Sequence, residues 1–312
     1  MLDSIIIQLI LFIVGIVLLL KGADWLIDGS VLTARALKVS NLLIGLTVVA
    51  FGTSAPEMFV SIMAGIQQKP DISAGNIMGS CIANIALVLG VASLIKPISV
   101  SKTLTYIKTP ILISSAILLT ILAFDLTLSR LDGIILLTAF AAFMWFSVFY
   151  EKQSPAESPE KKDAPLIKDI LLIVIGLAGI TAGAQLLINS AAFIARTAGI
   201  SELVIGITMV AVGTSLPEMA ASLAATFKKE EDISIANVVG SNIFNVLLVL
   251  GLVAVFSPLA INPQVLSSDI WIMNGFTLLL FLFFLHKGVL SRSKGVIMLS
   301  GYIIYICYLF IR

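Results

Sequence analysis

The stretch GLTVVAFGTSAPEMFVSIMAGIQQKPDISAGNIMGSCIANIALVLG, from Gly45 to Gly90, decides the fold of this chain because it occurs twice. Its second copy runs from Gly206 to Gly251, at a constant spacing of 161 residues. The two copies align without a gap and share 24 of 46 residues. The shared residues include the polar motifs Gly-Thr-Ser-x-Pro-Glu and Gly-Ser-x-x-x-Asn. Chance similarity between apolar helices would not preserve these polar residues, so the match indicates an internal duplication.

The composition places the chain in a lipid bilayer. Hydrophobic residues make up 59% of the sequence and charged residues 12%, and the mean hydropathy is +1.11. A soluble protein carries roughly 25% charged residues. The net charge is +1 and no basic run is long enough to bind phosphates, so we expect no nucleic-acid partner. Cys81 and Cys307 lie in apolar stretches, which argues against a disulfide or a cysteine metal site.

Ten apolar segments are long enough to cross a bilayer of about 30 Å. They cover residues 4–28, 41–66, 72–95, 107–124, 132–150, 168–190, 202–227, 233–256, 268–286 and 294–311. Because each copy of the duplication has an odd number of segments, the two copies must enter the membrane in opposite senses. The predicted fold is an all-α membrane protein of ten transmembrane helices in two inverted five-helix repeats. The predicted domains are a first repeat at 1–150, a hydrophilic cytoplasmic linker at 151–167 and a second repeat at 168–312.

The basic residues predict the orientation in the membrane. With ten spans, the odd-numbered loops share one side and carry fourteen Lys and Arg residues, whereas the opposite side has four. Because positively charged loops stay in the cytoplasm, we expect both termini outside the cell membrane.

Two carboxylates lie deep inside this hydrophobic chain. The second segment enters the membrane near residue 42, and Ser54 lies 12 residues further on, about 18 Å deep at ~1.5 Å per residue. Glu57 is therefore close to the bilayer midplane, where a charge costs at least ~2.5 kcal/mol unless it is compensated. Glu218 occupies the equivalent position in the second copy. Because neither segment has a Lys or Arg at that depth, the natural partner is a bound cation.

Neutral oxygen atoms surround both glutamates in the sequence. Proline in each Gly-Thr-Ser-x-Pro-Glu motif should break its helix and free backbone carbonyls, tolerable where they line a cavity or bind an ion. The next segment of each copy carries a polar stripe at helical spacing. The candidate ligands are the carbonyls of Ala50, Thr53, Ala211 and Thr214, the hydroxyls of Ser54, Ser215, Ser80 and Ser241, and the amides of Asn84 and Asn245. An all-oxygen set suits hard cations such as Ca²⁺ and Na⁺, and a duplicated membrane chain with central polar groups is typical of secondary transporters.

At these motifs the chain resembles the sodium/calcium exchanger family, particularly its compact prokaryotic members. The resemblance implies electrogenic exchange of Na⁺ for Ca²⁺ by alternating access, with no enzymatic activity, no cofactor and no obligatory protein partner. It implies Ca²⁺ ligands at Glu57, Glu218, Thr53 and Thr214, Na⁺ ligands at Ala50, Ser54, Ser80, Ala211, Ser215 and Ser241 with the glutamates, and further central positions at Asn84 and Asn245. Some relatives have Asp where Asn245 stands. An Asp there resembles the potassium-dependent branch, so Asn245 favours potassium-independent exchange.

Four alternatives remain at this point. A proton-coupled Ca²⁺ exchanger is the nearest, because a midplane glutamate without its cation takes up a proton. An ion channel would assemble its pore from several subunits, which an internal inverted repeat does not require. An intramembrane hydrolase needs a base beside Ser54 or Ser215, and the sole histidine lies far away in sequence. Ser54-x-x-Glu57 also fits a capping box that restarts a broken helix.

Overall fold

The computed structural model describes residues 2–153, 166–198 and 213–311, and these are mostly helical. The helices are α1 (Leu2–Leu37), α2 (Asn41–Thr53), α3 (Ala55–Ile66), α4 (Pro70–Ile95), α5 (Leu104–Leu122), α6 (Arg130–Gln153), α7 (Leu166–Thr197), α8 (Leu216–Phe227), α9 (Glu231–Phe256), α10 (Val265–Leu285) and α11 (Arg292–Ile311).

Most of these helices can cross a membrane. In the described part of the chain, eight are long and apolar enough by themselves, and the bent pair α2–α3 makes a ninth span. The predicted segment 202–227 falls partly outside the described residues, which resume at Gly213 just before α8. Most of the predicted linker, residues 154–165, lies outside them as well. The structure therefore confirms a multi-pass helical membrane protein, and the count of ten stays a prediction.

The two longest helices, α1 and α7, pack against each other at glycines. A Cβ atom on Gly22 would lie 2.5 Å from the backbone nitrogen of Ile180, and one on Gly183 would lie 2.5 Å from that of Leu19. Only a residue without a side chain permits this approach, as is common between membrane helices. The sequence predicted shorter spans, at 4–28 and 168–190. Helix α1 continues past Asp28 because residues such as Ala34 remain buried beyond it.

Helices α4 and α9 form the centre of the molecule. In an apolar stretch of 18 residues from each helix, 78% of the residues of α4 and 83% of those of α9 are buried, compared with 17% for α1. The remaining spans surround them and expose large apolar side chains on the outside of the bundle, for example Phe59, Trp145 and Ile304. The polar stripes predicted on α4 and α9 therefore lie in the interior.

Two short antiparallel strand pairs connect the two halves of the chain. Strand β1 (Ile98–Ser99) pairs with β4 (Val289–Leu290), and β2 (Thr127–Leu128) pairs with β3 (Leu259–Ala260). Each pair thus joins a connection of the first half to a connection of the second half.

The helix break predicted at the first Gly-Thr-Ser-x-Pro-Glu motif is confirmed. Helices α2 and α3 meet at Ser54 with a bend of 47°. Ser54 has φ −82° and ψ 2°, and Ser215 has φ −86° and ψ 3°, so the backbone takes the same conformation in both copies. In each copy a proline follows within the first turn of the next helix. The break places Glu57 at the start of α3 and Glu218 at the start of α8.

Candidate ion-binding site

The structure brings the predicted ligands together around the two helix breaks and the middles of α4 and α9. Nearly all of them are buried: Ala50, Thr53, Ser54, Glu57, Ser80, Asn84, Ser215, Glu218, Ser241 and Asn245. Thr214 is partly exposed. Ala211 lies outside the described residues. Both glutamates have no exposed surface at all, so any charge they carry is removed from water.

Each carboxylate bonds to a hydroxyl group through one oxygen atom. Ser54 Oγ donates to Glu218 Oε1 at 2.9 Å. Ser80 Oγ lies 3.5 Å from Glu57 Oε1 and 3.2 Å from Thr214 Oγ1. The sequence placed Ser54 beside Glu57 on one helical face, but the structure pairs Ser54 with the glutamate of the other copy. The site is therefore built from side chains of both halves, which bond to each other.

The second carboxylate oxygen of each glutamate has no partner among the described residues. Glu57 Oε2 and Glu218 Oε2 are both buried without a hydrogen bond. The two glutamates are linked through Ser54, which stands three residues before Glu57 in the sequence and bonds to Glu218. No ion pair in the described part of the chain involves either of them. An uncompensated buried charge is strongly unfavourable, and a cation between the two groups would remove this cost.

The capping interpretation of Ser54-x-x-Glu57 is wrong as an explanation of the motif. Neither Ser54 nor Ser215 makes a side-chain hydrogen bond to its own helix. The hydroxyl of Ser54 binds Glu218 instead, and that of Ser215 is buried with no partner among the described residues. Neither hydroxyl group therefore caps the helix that follows it.

One asparagine in each half of the chain bonds to the backbone carbonyl of the glutamate in that half. Asn76 Nδ2 donates to the carbonyl of Glu57 at 3.3 Å and to Ser61 Oγ at 2.9 Å. In the second half, Asn237 Nδ2 donates to the carbonyl of Glu218 at 3.2 Å and to Ser222 Oγ at 2.9 Å. The same bonds in both copies fix the start of each broken helix relative to α4 or α9. The sequence analysis missed Ser61 and its equivalent Ser222, although both are identical in the repeat.

The carbonyl of Ala50 is not freed by the helix break, contrary to the sequence prediction. It accepts the backbone N–H of Ser54 at 3.0 Å. The N–H that Pro56 lacks would have bonded four residues back, to the carbonyl of Gly52. Thr53 Oγ1 and Ser241 Oγ lie 3.4 Å and 3.5 Å from the carbonyl oxygen of Ala50, so an ion bound there would compete with these two hydroxyl groups.

The two central amides differ in their surroundings. Asn84 begins a π-helical turn at 84–88, and Asn245 lies in the equivalent turn at 244–249. Such turns insert an extra residue and often occur at functional sites. Asn84 Nδ2 donates to Asn242 Oδ1 at 3.0 Å, whereas neither amide atom of Asn245 has a hydrogen-bond partner among the described residues. The sequence analysis did not identify Asn242, because Cys81 stands at its equivalent position and the repeat does not show it.

The site contains few charged groups. In the described part of the chain, no three or more His, Cys, Asp or Glu residues are grouped so that they could hold a metal ion. Two carboxylates surrounded by hydroxyl, amide and carbonyl oxygens suit Ca²⁺ or Na⁺ rather than a transition metal. A buried hard-cation site at the centre of a duplicated multi-pass bundle is the architecture of a secondary cation transporter.

The chain belongs to the sodium/calcium exchanger protein family. The model of that family matches residues 7–149 and 168–311. The sodium/calcium exchanger MaX1 of Methanosarcina acetivorans is 31% identical, over 97% of this chain and 99% of its own length. The inner membrane protein YrbG of Escherichia coli is 33% identical, over 96% of each chain. A solved structure of the sodium-calcium exchanger NCX_Mj, soaked with zero Na⁺ and Ca²⁺, superimposes with a TM-score of 0.86 at 35% identity and covers 98% of this chain and 99% of that one.

These matches cover nearly the whole chain and nearly the whole of each relative, so the fold and the family are shared from end to end. Members of this family are cation/Ca²⁺ antiporters and not enzymes. The hydrolase and channel interpretations are therefore set aside.

Proposed function

We propose that this protein is a secondary antiporter that exchanges Na⁺ for Ca²⁺ across the cytoplasmic membrane by alternating access, electrogenically and without K⁺. The observation that carries the proposal is the pair of fully buried glutamates, each with an unpartnered oxygen atom and neither in an ion pair among the described residues. The name of the relative MaX1 and that of the solved exchanger NCX_Mj support Na⁺ and Ca²⁺ as the exchanged ions.

The charge of the site suits the two ions. Two carboxylates balance one Ca²⁺, so the loaded site is neutral in the low-dielectric interior. Na⁺ ions occupying the same carboxylates compete with Ca²⁺ directly, which is the basis of exchange. We assign Ca²⁺ to Glu57, Glu218 and the carbonyls of Thr53 and Thr214, and Na⁺ to the glutamates with Ala50, Ser54, Ser80, Ala211, Ser215 and Ser241. Asn84 and Asn245 complete the centre.

Transporters that work by alternating access are often built from two related halves, and we propose ten helices in two inverted five-helix repeats, at 1–150 and 168–312. Helices α3 and α8 match at the repeat spacing of 161, as do α4 and α9. The strand pairs support the inverted arrangement: β1 meets β4 and β2 meets β3. With ten spans, each pair joins two loops on the same side of the membrane.

Calcium uptake into proteoliposomes tests this function. Purified protein is reconstituted with an outward gradient of Na⁺, K⁺ or H⁺ imposed separately, and ⁴⁵Ca²⁺ entry is measured. We expect uptake with the Na⁺ gradient alone, and faster uptake when valinomycin and an inward K⁺ gradient set the inside positive, because more than two Na⁺ ions leaving for each Ca²⁺ that enters carry net positive charge outward. Protein-free vesicles are the control. Uptake driven by H⁺ and not by Na⁺ would assign the protein to proton-coupled exchange, and uptake that needs no counter-ion gradient would overturn antiport.

A further inference from the structure

Helices α4 and α9 meet at a pair of residues that are copies of each other. Residue 242 is residue 81 plus the repeat spacing of 161, and the two are in contact. Asn242 Nδ2 donates to the backbone carbonyl of Cys81 at 3.0 Å. The thiol of Cys81 lies 4.0 Å from the carbonyl of Asn242. At this contact between α4 and α9 the two halves differ in sequence, with Cys81 in the first half and Asn242 at the equivalent position of the second.

The bond to Cys81 fixes the orientation of the Asn242 amide. A backbone carbonyl can only accept, so Asn242 must present Nδ2 to it and keep Oδ1 on the other side. That oxygen accepts the hydrogen bond from Asn84 Nδ2 at 3.0 Å. These two bonds therefore fix the orientation of the Asn84 amide: its Nδ2 bonds to Asn242, and its Oδ1 points away from that bond.

The atom that is left is an oxygen in the ion-binding region. Asn84 Oδ1 is buried and has no hydrogen-bond partner among the described residues. Asn84 follows Ser80 by four residues, about one helical turn, and Ser80 Oγ lies 3.5 Å from Glu57 Oε1. The amide of Asn84 therefore belongs to the same face of α4 as the group that reaches the first glutamate.

The second half lacks this support. The residue equivalent to Asn242 is Cys81, which lies near the side chain of Asn245. A thiol is a weak hydrogen-bond partner, and both amide atoms of Asn245 are unpartnered in the described part of the chain. Asn84 is therefore held by another amide, whereas Asn245 has a thiol beside it.

We propose that Asn242 is a positioning residue for cation binding, which holds Asn84 so that its amide oxygen faces the central site. This inference rests on the proposed function for its transport measurement. In metal sites, the outer partner that orients a ligand is worth about 10- to 100-fold in affinity. Because Asn242 acts here through a neutral ligand, we expect an effect at the lower end of that range.

The test replaces Asn242 by cysteine, the residue at the equivalent position 81 of the first half. Asn242→Cys removes both bonds and leaves Asn84 free to rotate, so the KM for Ca²⁺ should rise about tenfold while the maximal rate of Na⁺-driven uptake is kept. Asn84→Ala should raise the KM by a similar factor. The double variant Asn84→Ala with Asn242→Cys should be no worse than Asn84→Ala alone, because Asn242 has then nothing to position.

The matched control is Asn274→Cys, which makes the same substitution at an asparagine that joins two other helices by bonding to Thr120 Oγ1 and to the carbonyl of Ile270, and its KM should stay at the native value. Elution in gel filtration and thermal unfolding show whether each variant is folded. If Asn242→Cys fails to fold, Asn242→Ser replaces it in the same comparison. A native KM in the folded variant, or additive effects in the double variant, would overturn the proposal. Loss of Na⁺-driven uptake in the native protein would instead refute the proposed function, and ⁴⁵Ca²⁺ equilibrium binding then measures the same variants without transport.

Discussion

At the scale of single residues, the chemistry depends on two glutamates whose surroundings are built from opposite halves. Glu218 is bonded by Ser54, and Glu57 lies near Ser80, which contacts Thr214. Each glutamate leaves one oxygen without a protein partner. A cation at the centre would contact both halves at once, which couples its binding to their relative position.

Neutralising either glutamate should stop transport. Glu57→Gln and Glu218→Gln each remove half of the charge that balances Ca²⁺ in a low-dielectric site. We expect ⁴⁵Ca²⁺ uptake to fall to the level of protein-free vesicles for both, with a folded protein by gel filtration. Near-native uptake by either variant would contradict the assignment of the ligands. Ser114→Ala is a control, because this exposed serine bonds only to the carbonyl of Pro110 in its own helix.

Acid should inhibit by competition. Protons neutralise the carboxylates that Ca²⁺ needs, so the KM for Ca²⁺ should rise as the pH falls, while saturating Ca²⁺ restores the rate. The measurement is Na⁺-driven uptake at a series of Ca²⁺ concentrations between pH 8 and pH 5. A KM that stays constant over this range would show that the glutamates do not bind the ion.

Asn245 tests the ion selectivity. Asn contributes a neutral oxygen, whereas Asp would add a third carboxylate that needs another cation or a proton for balance. We expect native uptake to be the same with K⁺ or choline on both sides under a clamped voltage, and Asn245→Asp to become more sensitive to pH. If the native protein stops when K⁺ is removed, the potassium-independent interpretation is wrong. The matched variant is Asn84→Asp, which adds the same charge in the first half.

At the scale of elements, the contact between α1 and α7 depends on glycine. A Cβ atom at residue 22 would lie 2.5 Å from the nitrogen of Ile180 and 2.7 Å from the carbonyl of Gly176. These are backbone atoms, so they cannot move aside as a flexible side chain would. The two longest helices are therefore held at a fixed short distance.

We predict that Gly22→Ala destabilises the protein by about 1–3 kcal/mol, the usual range for overpacking. Thermal unfolding in detergent should show a lower midpoint. Gly275→Ala is the matched control, since a Cβ atom there meets no atom within 4 Å, and alanine is the better helix former. An equal loss of stability in both variants would mean that glycine itself, rather than the α1–α7 contact, is responsible.

At the scale of the whole molecule, the duplication predicts a defined topology. The cytoplasmic side should hold the linker, and the opposite side should hold the short connection between α3 and α4. In a background with Cys81 and Cys307 replaced by alanine and serine, a cysteine at residue 158 should react with a membrane-impermeant maleimide only after permeabilisation. A cysteine in place of the exposed Gln68 should react in intact cells.

Labelling of both cysteines in intact cells would mean that the two sites share the outer side, which an odd number of spans between them does not allow. Labelling of residue 158 alone would reverse the orientation of the whole chain and leave the repeat intact. The experiment therefore separates the sense of insertion from the inverted arrangement.

The sequence by itself determined the class of the protein, the duplication and most of the candidate ligands. This was possible because a carboxylate in a 20-residue apolar segment has a large energetic cost, so its presence twice at the same spacing signals function. The break before each glutamate was equally local, since proline acts within its own helix. The break depends on residues within one turn, and the cost of the carboxylate depends on the composition of its own segment.

The tertiary structure alone decided which groups meet. Ser54 bonds to Glu218 across 164 positions, and Asn242 bonds to Asn84 across 158. Helical spacing tells which residues share a face, but the packing of bulky side chains sets how far one helix slides or turns against another. The π-helical turns at Asn84 and Asn245 rotate those faces further. Partners between helices therefore follow from the packing of α4 and α9, and no spacing within a single helix contains that information.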